Sequence, residues 1–188
     1  MRILLGLVAA LVLAGGAVAV WYWEPWAEDE GGAVAGEAPL LRADYTGSAC
    51  RELAGVAASL AERETDAGGF LRELGRRAAG IREGPRAYGD LARGGRNLIR
   101  GKGFLARFDD GTSGQVRHFA GIAVATSYGG GATTRLISIF VRDDPEDSPD
   151  GRLTDEGIAF ATAVMSAELE LELAPRWIVD RLCRRNPA

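Results

Sequence analysis

The chain has 188 residues, of which 47% are hydrophobic and 26% are charged, and its formal net charge is −4. This length and composition are typical of one globular domain with additional segments, and they exclude a chain that is disordered throughout. The negative net charge argues against a general nucleic-acid-binding protein, which would carry a strong basic excess.

An uncharged apolar segment occupies residues 3–23 near the start of the chain. It is long enough for a helix to cross a hydrocarbon core about 30 Å thick. Arg2 precedes it, and tryptophan and tyrosine at its end followed by acidic residues predict a retained single-pass anchor with the remaining chain outside the cytoplasm. The alternative is a cleaved signal peptide, because Ala17-Val18-Ala19 is typical of a cleavage site.

The segment after the anchor, residues 24–45, is acidic and rich in glycine and alanine, which predicts a flexible linker. Residues 46–188 are predicted to form a single all-α domain of five to seven helices. Ser48 is predicted to cap a helix that ends near Glu64, and Asp66 to cap the next one. The apolar stripe predicted for that second helix consists of Phe70, Leu71, Leu74 and Ala78.

Further helices are predicted along the rest of the domain. A third begins at Pro85 and reaches Leu98, and a fourth begins at Thr112 or Ser113 and ends at the glycines 129–131. Residues 133–142 fit a helix or a strand, and the helix is preferred because a lone strand would have no partner. The last long helix is predicted from near Leu153 to Pro175, and a short one over residues 176–184.

The chain has two cysteines, Cys50 and Cys183, one at each end of the predicted domain. Outside the cytoplasm they are expected to form a disulfide, which would stabilise the fold by roughly 4–5 kcal/mol in the chain-entropy model. The alternative is a pair of buried free thiols. No Cys/His cluster indicates zinc.

The acidic loop over residues 143–150 is the one place where the sequence allows a cation, and otherwise no cofactor is expected. Hard divalent metals bind several carboxylate oxygens, and the loop offers Asp143, Asp144, Asp147 and Asp150. Its spacing does not fit a calcium-binding EF-hand. The alternative is a solvated loop without metal.

His118, the only histidine, lies beside an apolar helical stripe, and it is the main candidate for a functional residue. A carboxylate from Asp143 or Asp150 would set its tautomer and raise its pKa, as general acid–base catalysis or metal binding requires. Gln115 and Arg117 are candidate ligand-binding residues, because a guanidinium binds phosphate or carboxylate groups. The structural alternative is a histidine that packs on Phe119 and bonds within the fold.

These residues resemble a pattern found in an uncharacterised group of bacterial helical proteins and domains. The pattern reads Q-x-R-H-F, then R-E, then D-x-x-L-N with a glycine shortly after, and here it covers roughly residues 109–165. Asp143 stands where the pattern has glutamate, and Thr154 where it has asparagine. The resemblance implies no established activity, but it implies that the scattered polar residues Gln115, Arg117, His118, Arg142, Asp143 and Asp150 converge.

Two classes of function follow from the sequence. The first is a non-catalytic binding or structural protein of the cell envelope, held to the membrane by residues 3–23, with an envelope protein or lipid as its partner. The second is an envelope hydrolase acting on a phosphoester or lipid head group. In that case His118 is the base or a metal ligand, Asp143 and Asp150 orient it or bind the metal, and Arg117 binds the anion.

Overall fold

The computed structural model describes residues 48–142 and 144–184, and these form an all-helical fold. Its α-helices are α1 (Ala49–Ala61), α2 (Ala67–Ala79), α3 (Arg86–Ala92), α4 (Gln115–Val141), α5 (Pro149–Met165) and α6 (Ala174–Leu182). The described residues contain no strand, and their β-pairing is an isolated antiparallel bridge between Phe104 and Cys183. The predicted all-α class is confirmed for this part of the chain.

Several of the predicted features fall elsewhere in the chain. The anchor (residues 1–23), the linker (residues 24–45) and Asp143 lie outside the described residues. Within the described ranges, no helix is both long enough and apolar enough to cross a membrane.

The first two helices begin where their capping residues predict. The Ser48 hydroxyl accepts a hydrogen bond from the Arg51 amide at 3.4 Å, and the Asp66 carboxylate accepts one from the Gly69 amide at 2.6 Å. These side chains satisfy amide groups that have no partner within the helix. All four residues predicted as the apolar stripe of α2 are fully buried.

The third predicted helix is shorter than its pattern suggests. It ends at Ala92, and Leu98 lies beyond it in an exposed position. Gly94 and Gly95 have φ angles of 78° and 71°, which a right-handed helix cannot include. The glycine pair therefore terminates α3 instead of weakening its middle.

The helix predicted to run to Pro175 is also corrected at both ends. It begins at Pro149, where the Ser148 hydroxyl accepts a hydrogen bond from the Gly151 amide, and it ends at Met165. After it, Ala167 has a φ of 58°, which interrupts right-handed helical geometry. The acidic segment that follows forms only a short 3₁₀ turn, Leu171–Leu173, ahead of α6.

Helix α4 folds back on itself at Gly130. Backbone angles there are φ 77° and ψ 162°, a combination that is nearly restricted to glycine. His118 and Ser138 both contact the Thr154 hydroxyl, although 20 residues of straight helix would separate them by about 30 Å. We refer to residues 115–129 as the first half of α4 and to residues 131–141 as its second half.

The core lies among α1, α2, the first half of α4, α5 and α6. Its centre is aromatic: the Phe160 ring lies 5.3 Å from Phe119 and 5.1 Å from Trp177, centroid to centroid. Helices α4 and α5 approach closely at Gly157, where a Cβ atom would stand 2.7 Å from a methyl carbon of Ile122. This close contact brings the starts of the two helices together.

The predicted disulfide joins Cys50 in α1 to Cys183 after α6, with a Cα–Cα distance of 5.5 Å. Both cysteines are buried. The loop before the short helical turn Ala106–Phe108 adds backbone bonds here, because the Leu105 amide donates to the Leu182 carbonyl at 2.8 Å. The pairing of the two cysteines is thus confirmed, and it fastens the first helix of the domain to its last.

Candidate functional site

A group of polar side chains gathers where the start of α4, the end of α4 and the start of α5 meet. We call it the polar cluster. Its members are Asp110, Gln115, Arg117, His118, Ser138, Arg142, Asp144, Asp150 and Thr154. It therefore includes the predicted residues Gln115, Arg117, His118 and Asp150, which lie up to 35 residues apart in sequence.

The imidazole of His118 lies inside the cluster, and its side chain is only 5% exposed. Its Nε2 is 2.8 Å from the Thr154 hydroxyl, and its Nδ1 is 3.9 Å from a carboxylate oxygen of Asp150. Asp150 is thus close, but the side-chain partner at hydrogen-bond length is a threonine. Burial lowers the pKa of His118 to about 4, with Asp144 opposing the shift and Arg142 adding to it. The ring is neutral at physiological pH.

A chain of hydroxyl groups leads from this ring to an acid. Thr154 Oγ1 is 3.1 Å from Ser138 Oγ, and the Ser138 hydroxyl donates to the Asp144 carboxylate at 3.1 Å. Because an ionised carboxylate can only accept, Ser138 donates to Asp144, whereas the donors in the other two contacts depend on which ring nitrogen of His118 carries the proton. Each polar group along this line then has a partner inside the fold.

Charges of both signs form the outer part of the cluster. Burial lowers the pKa of Arg117, and the nearby Arg142 lowers it further, whereas Asp150 and Asp110 oppose the shift. Burial also raises the pKa of Asp150; Asp110 adds to this shift, and the two arginines oppose it. Gln115 donates a hydrogen bond to Asp110. The arginines and carboxylates therefore offset one another's charge.

Two atoms of the cluster are buried without a hydrogen-bond partner among the described residues, Gln115 Oε1 and Arg117 Nε. Both residues lie near Asp110, which accepts a hydrogen bond from Gln115 and whose charge opposes the lowered pKa of Arg117. Two shallow surface clefts lie elsewhere, one beside Cys183 and Arg51 and one beside Ala58 and Pro175. Neither is lined by a member of the polar cluster.

The acidic loop contributes to the cluster carboxylates that contact other side chains of the protein. Asp144 accepts from Ser138 and lies 3.6 Å from Arg142 Nε, and Asp150 faces His118. Within residues 48–142 and 144–184, no three histidine, cysteine, aspartate or glutamate side chains are grouped so that they could hold a metal ion. Asp143 lies outside those ranges.

The second half of α4 carries its polar residues inward and its apolar residues outward. Thr134 and Ser138 are buried, and Arg135 forms an ion pair with Asp155 on α5. The opposite side, which we call the outer face, has the exposed fractions Leu136 56%, Ile137 48%, Phe140 78% and Val141 67%. Amphipathic helices of globular domains normally have the reverse arrangement.

Sequence reasoning missed Ser138, Asp144 and Asp110 as members of this cluster. A signal for Ser138 is present, because Thr134, Arg135 and Ser138 lie at helical spacing on one side of an otherwise apolar segment. The usual rule assigns such a polar side to solvent. It fails here because the polar side bonds to Thr154 and Asp155 on α5.

Comparisons with known protein families, with curated proteins and with solved structures find no match to this chain. Its function is therefore inferred from the geometry of its own residues.

Proposed function

We propose that this chain is an exported, membrane-anchored helical domain that acts by binding a partner and not by catalysis. The observation that carries the proposal is the reversed orientation of the second half of α4. That segment buries Thr134 and Ser138 and leaves Phe140 and Val141 in solvent. Contiguous exposed apolar side chains are uncommon on soluble monomers, and they mark interaction sites.

The polar cluster has a structural task in this proposal, which is to hold the second half of α4 in its reversed orientation. Ser138 bonds Thr154, and Arg135 pairs with Asp155 and donates to the Gly151 carbonyl at 3.3 Å. These contacts fix the rotation of the helix about its own axis. His118 supports them from the other side of Thr154, and its buried ring is poorly placed to reach a substrate.

The proposed location outside the cytoplasm has two supports. One is the predicted span over residues 3–23 with its preceding Arg2. The other is the Cys50–Cys183 bond, because disulfides form and persist in oxidising compartments. If residues 1–19 were cleaved on secretion, the protein would have no anchor. The disulfide would still support a location outside the cytoplasm.

Denaturant unfolding of the full chain under non-reducing conditions tests the proposal. Ser138→Ala removes a buried hydroxyl and leaves the Asp144 carboxylate without its donor, so we expect a loss of about 1–3 kcal/mol. The matched control Thr133→Ala removes an exposed hydroxyl from the same helix. That control, and Phe140→Ser on the outer face, should change the free energy of unfolding by no more than about 0.5 kcal/mol.

The opposite pattern would contradict the proposal. If Phe140→Ser costs about 3 kcal/mol or more, as truncation of a core aromatic does, the outer face is covered by the chain's own residues and is not available to a partner. If Ser138→Ala behaves like Thr133→Ala, the polar cluster does not hold the second half of α4.

A hydrolase remains the second candidate, and one observation favours it. The pKa of Asp150 is raised next to the only histidine, and perturbed titratable groups concentrate at reactive sites. The variant His118→Gln separates the two functions. In the binding protein it costs about 1–2 kcal/mol of stability, in the range of one buried hydrogen bond. In a hydrolase it leaves the fold intact and abolishes turnover of a phosphoester substrate.

A further inference from the structure

The exposed apolar side chains of α4 are arranged as one continuous stripe. Exposed positions occur at residues 132–133, 136–137 and 140–142, and buried or half-buried residues separate these groups. This repeat of four residues follows one side of a helix. The stripe becomes more apolar towards its end, from alanine and threonine to leucine and isoleucine and then to phenylalanine and valine.

No charged residue lies on this stripe before Arg142 at its end, whose Nε is 3.6 Å from the Asp144 carboxylate. The one charged side chain between Gly131 and Val141 is Arg135, which is on the inner side and paired with Asp155. Glu146 and Asp147, in the loop that follows, are exposed and acidic. A partner recognised through phosphate or carboxylate groups would find no complementary charge on the outer face. The outer face is therefore suited to contact with hydrocarbon chains.

The sequence outside the described residues indicates where hydrocarbon is available. The predicted span ends at residue 23, and the predicted linker over residues 24–45 separates it from α1. A chain of 22 residues spans at most about 75 Å when fully extended. A domain of this size has a radius of gyration of about 14 Å, so the predicted linker is long enough for any side of the domain to meet the bilayer. Tethering of this kind gives an effective concentration of the order of millimolar, at which weak contacts are occupied.

We propose that the outer face of α4 docks on the lipid surface of the membrane to which residues 3–23 attach the chain, with Phe140 and Val141 inserted below the head groups. The proposal rests on the proposed function and names its partner. Tyr88 and Tyr128 form an exposed aromatic pair with ring centroids 5.8 Å apart, and Tyr128 lies four residues before the stripe in sequence. Tyrosine is enriched at the level of lipid head groups.

The experiment uses the full chain reconstituted into phosphatidylcholine vesicles, with an environment-sensitive fluorophore attached at Phe140→Cys. The native cysteines are bonded to each other and do not react with the label. Met165→Cys is the matched control, because Met165 is also an exposed apolar residue but lies at the far end of α5. Nitroxide-labelled lipids then report which site contacts the acyl chains.

We expect the emission of the label at position 140 to shift to shorter wavelength and to fall at least twofold with nitroxide lipids. The label at position 165 should change little. Adding Leu136→Gln to the labelled variant should reduce the quenching, whereas 0.5 M salt should not, because the face carries no charge. Equal quenching at both positions, or none at position 140, would overturn the proposal.

Self-quenching between labels at position 140 that grows with the protein-to-lipid ratio, without quenching by nitroxide lipids, would also overturn it. That outcome would assign the outer face to a second copy of this chain. Failure of the lipid experiment leaves the unfolding results for Ser138→Ala and Phe140→Ser unaffected. The proposal that lipid is the partner can therefore be wrong while the proposed binding function still holds.

Discussion

His118 illustrates how one buried residue can make a fold sensitive to pH. Its ring lies between Thr154 and Asp150 and is almost fully removed from water. A charged imidazole loses its hydration there, and the charges of Arg142 and Arg117 oppose the support that the ring receives from the Asp144 carboxylate and the Asp150 backbone. Desolvation therefore dominates, and the neutral ring is favoured.

The low pKa of His118 predicts that the protein loses stability in mild acid. Its pKa is about 4 in the folded chain and near 6.5 when unfolded, so the unfolded chain takes up the proton first as the pH falls. The contribution is fully present above pH 6.5 and is lost as the pH falls towards 4. Between pH 7 and pH 5 we expect the free energy of unfolding to fall by about 2 kcal/mol from this group. Denaturant titrations at a series of pH values measure it.

His118→Gln is the control for this pH dependence, because glutamine keeps a donor but does not titrate. The variant should show a smaller fall in stability over the same interval. Asp150 acts in the opposite direction, because its raised pKa makes the folded chain take up that proton more readily than the unfolded chain. An equal pH dependence in the wild type and in His118→Gln would mean that the ring is not buried in the folded protein.

At the scale of the secondary-structure element, the backbone conformation of Gly130 sets the path of α4. A straight helix over Gln115–Val141 would separate His118 from Ser138 by about 30 Å. The reversal at Gly130 instead brings both residues to the Thr154 hydroxyl. One glycine thus determines whether the two halves of α4 meet in the polar cluster.

Gly130→Ala should therefore destabilise the protein by about 1–3 kcal/mol, the range for a non-glycine residue held in a sparsely populated backbone region. No atom lies within 4 Å of the added Cβ, so the loss would come from the backbone alone. Gly129→Ala is the matched control, because Gly129 is exposed and lacks a positive φ. There alanine should stabilise the helix by about 0.5–1 kcal/mol. Thermal or denaturant unfolding distinguishes the two, and equal effects would contradict the reversal.

At the scale of the whole molecule, the disulfide closes nearly the entire domain into one loop. Its cysteines are 133 residues apart, and the bond joins α1 to the end of α6. The α1 and α6 segments also pack directly on each other, and the Gly103 carbonyl accepts a hydrogen bond from the Arg184 amide at 2.7 Å. The first and last helices of the domain are thus held together at one site.

Removing this bond should cost roughly 4–5 kcal/mol, because the closed loop restricts the unfolded chain. We expect the double variant Cys50→Ala/Cys183→Ala to have a correspondingly lower free energy of unfolding. A reducing agent should destabilise the wild type to a similar extent and leave the double variant unchanged. A wild type that is insensitive to reductant would contradict the stabilising role of the bond.

The sequence by itself determined the local features of this protein. Helical spacing and capping predicted the all-α class and the starts of α1 and α2, because a helix depends on residues three or four positions apart. The positions of Cys50 and Cys183 predicted their pairing. The anchor over residues 3–23 stays a prediction from the sequence.

Only the tertiary structure decided which side of the second half of α4 is buried. Its sequence pattern predicts a helix that buries Leu136 and Phe140 in the core. In the folded chain Thr134 and Ser138 are buried instead. The reason is that Thr154 and Asp155 supply polar partners for that side once the loop after Arg142 folds α5 back against the second half of α4. Local spacing carries no information about a neighbour that is brought in from 16 residues away.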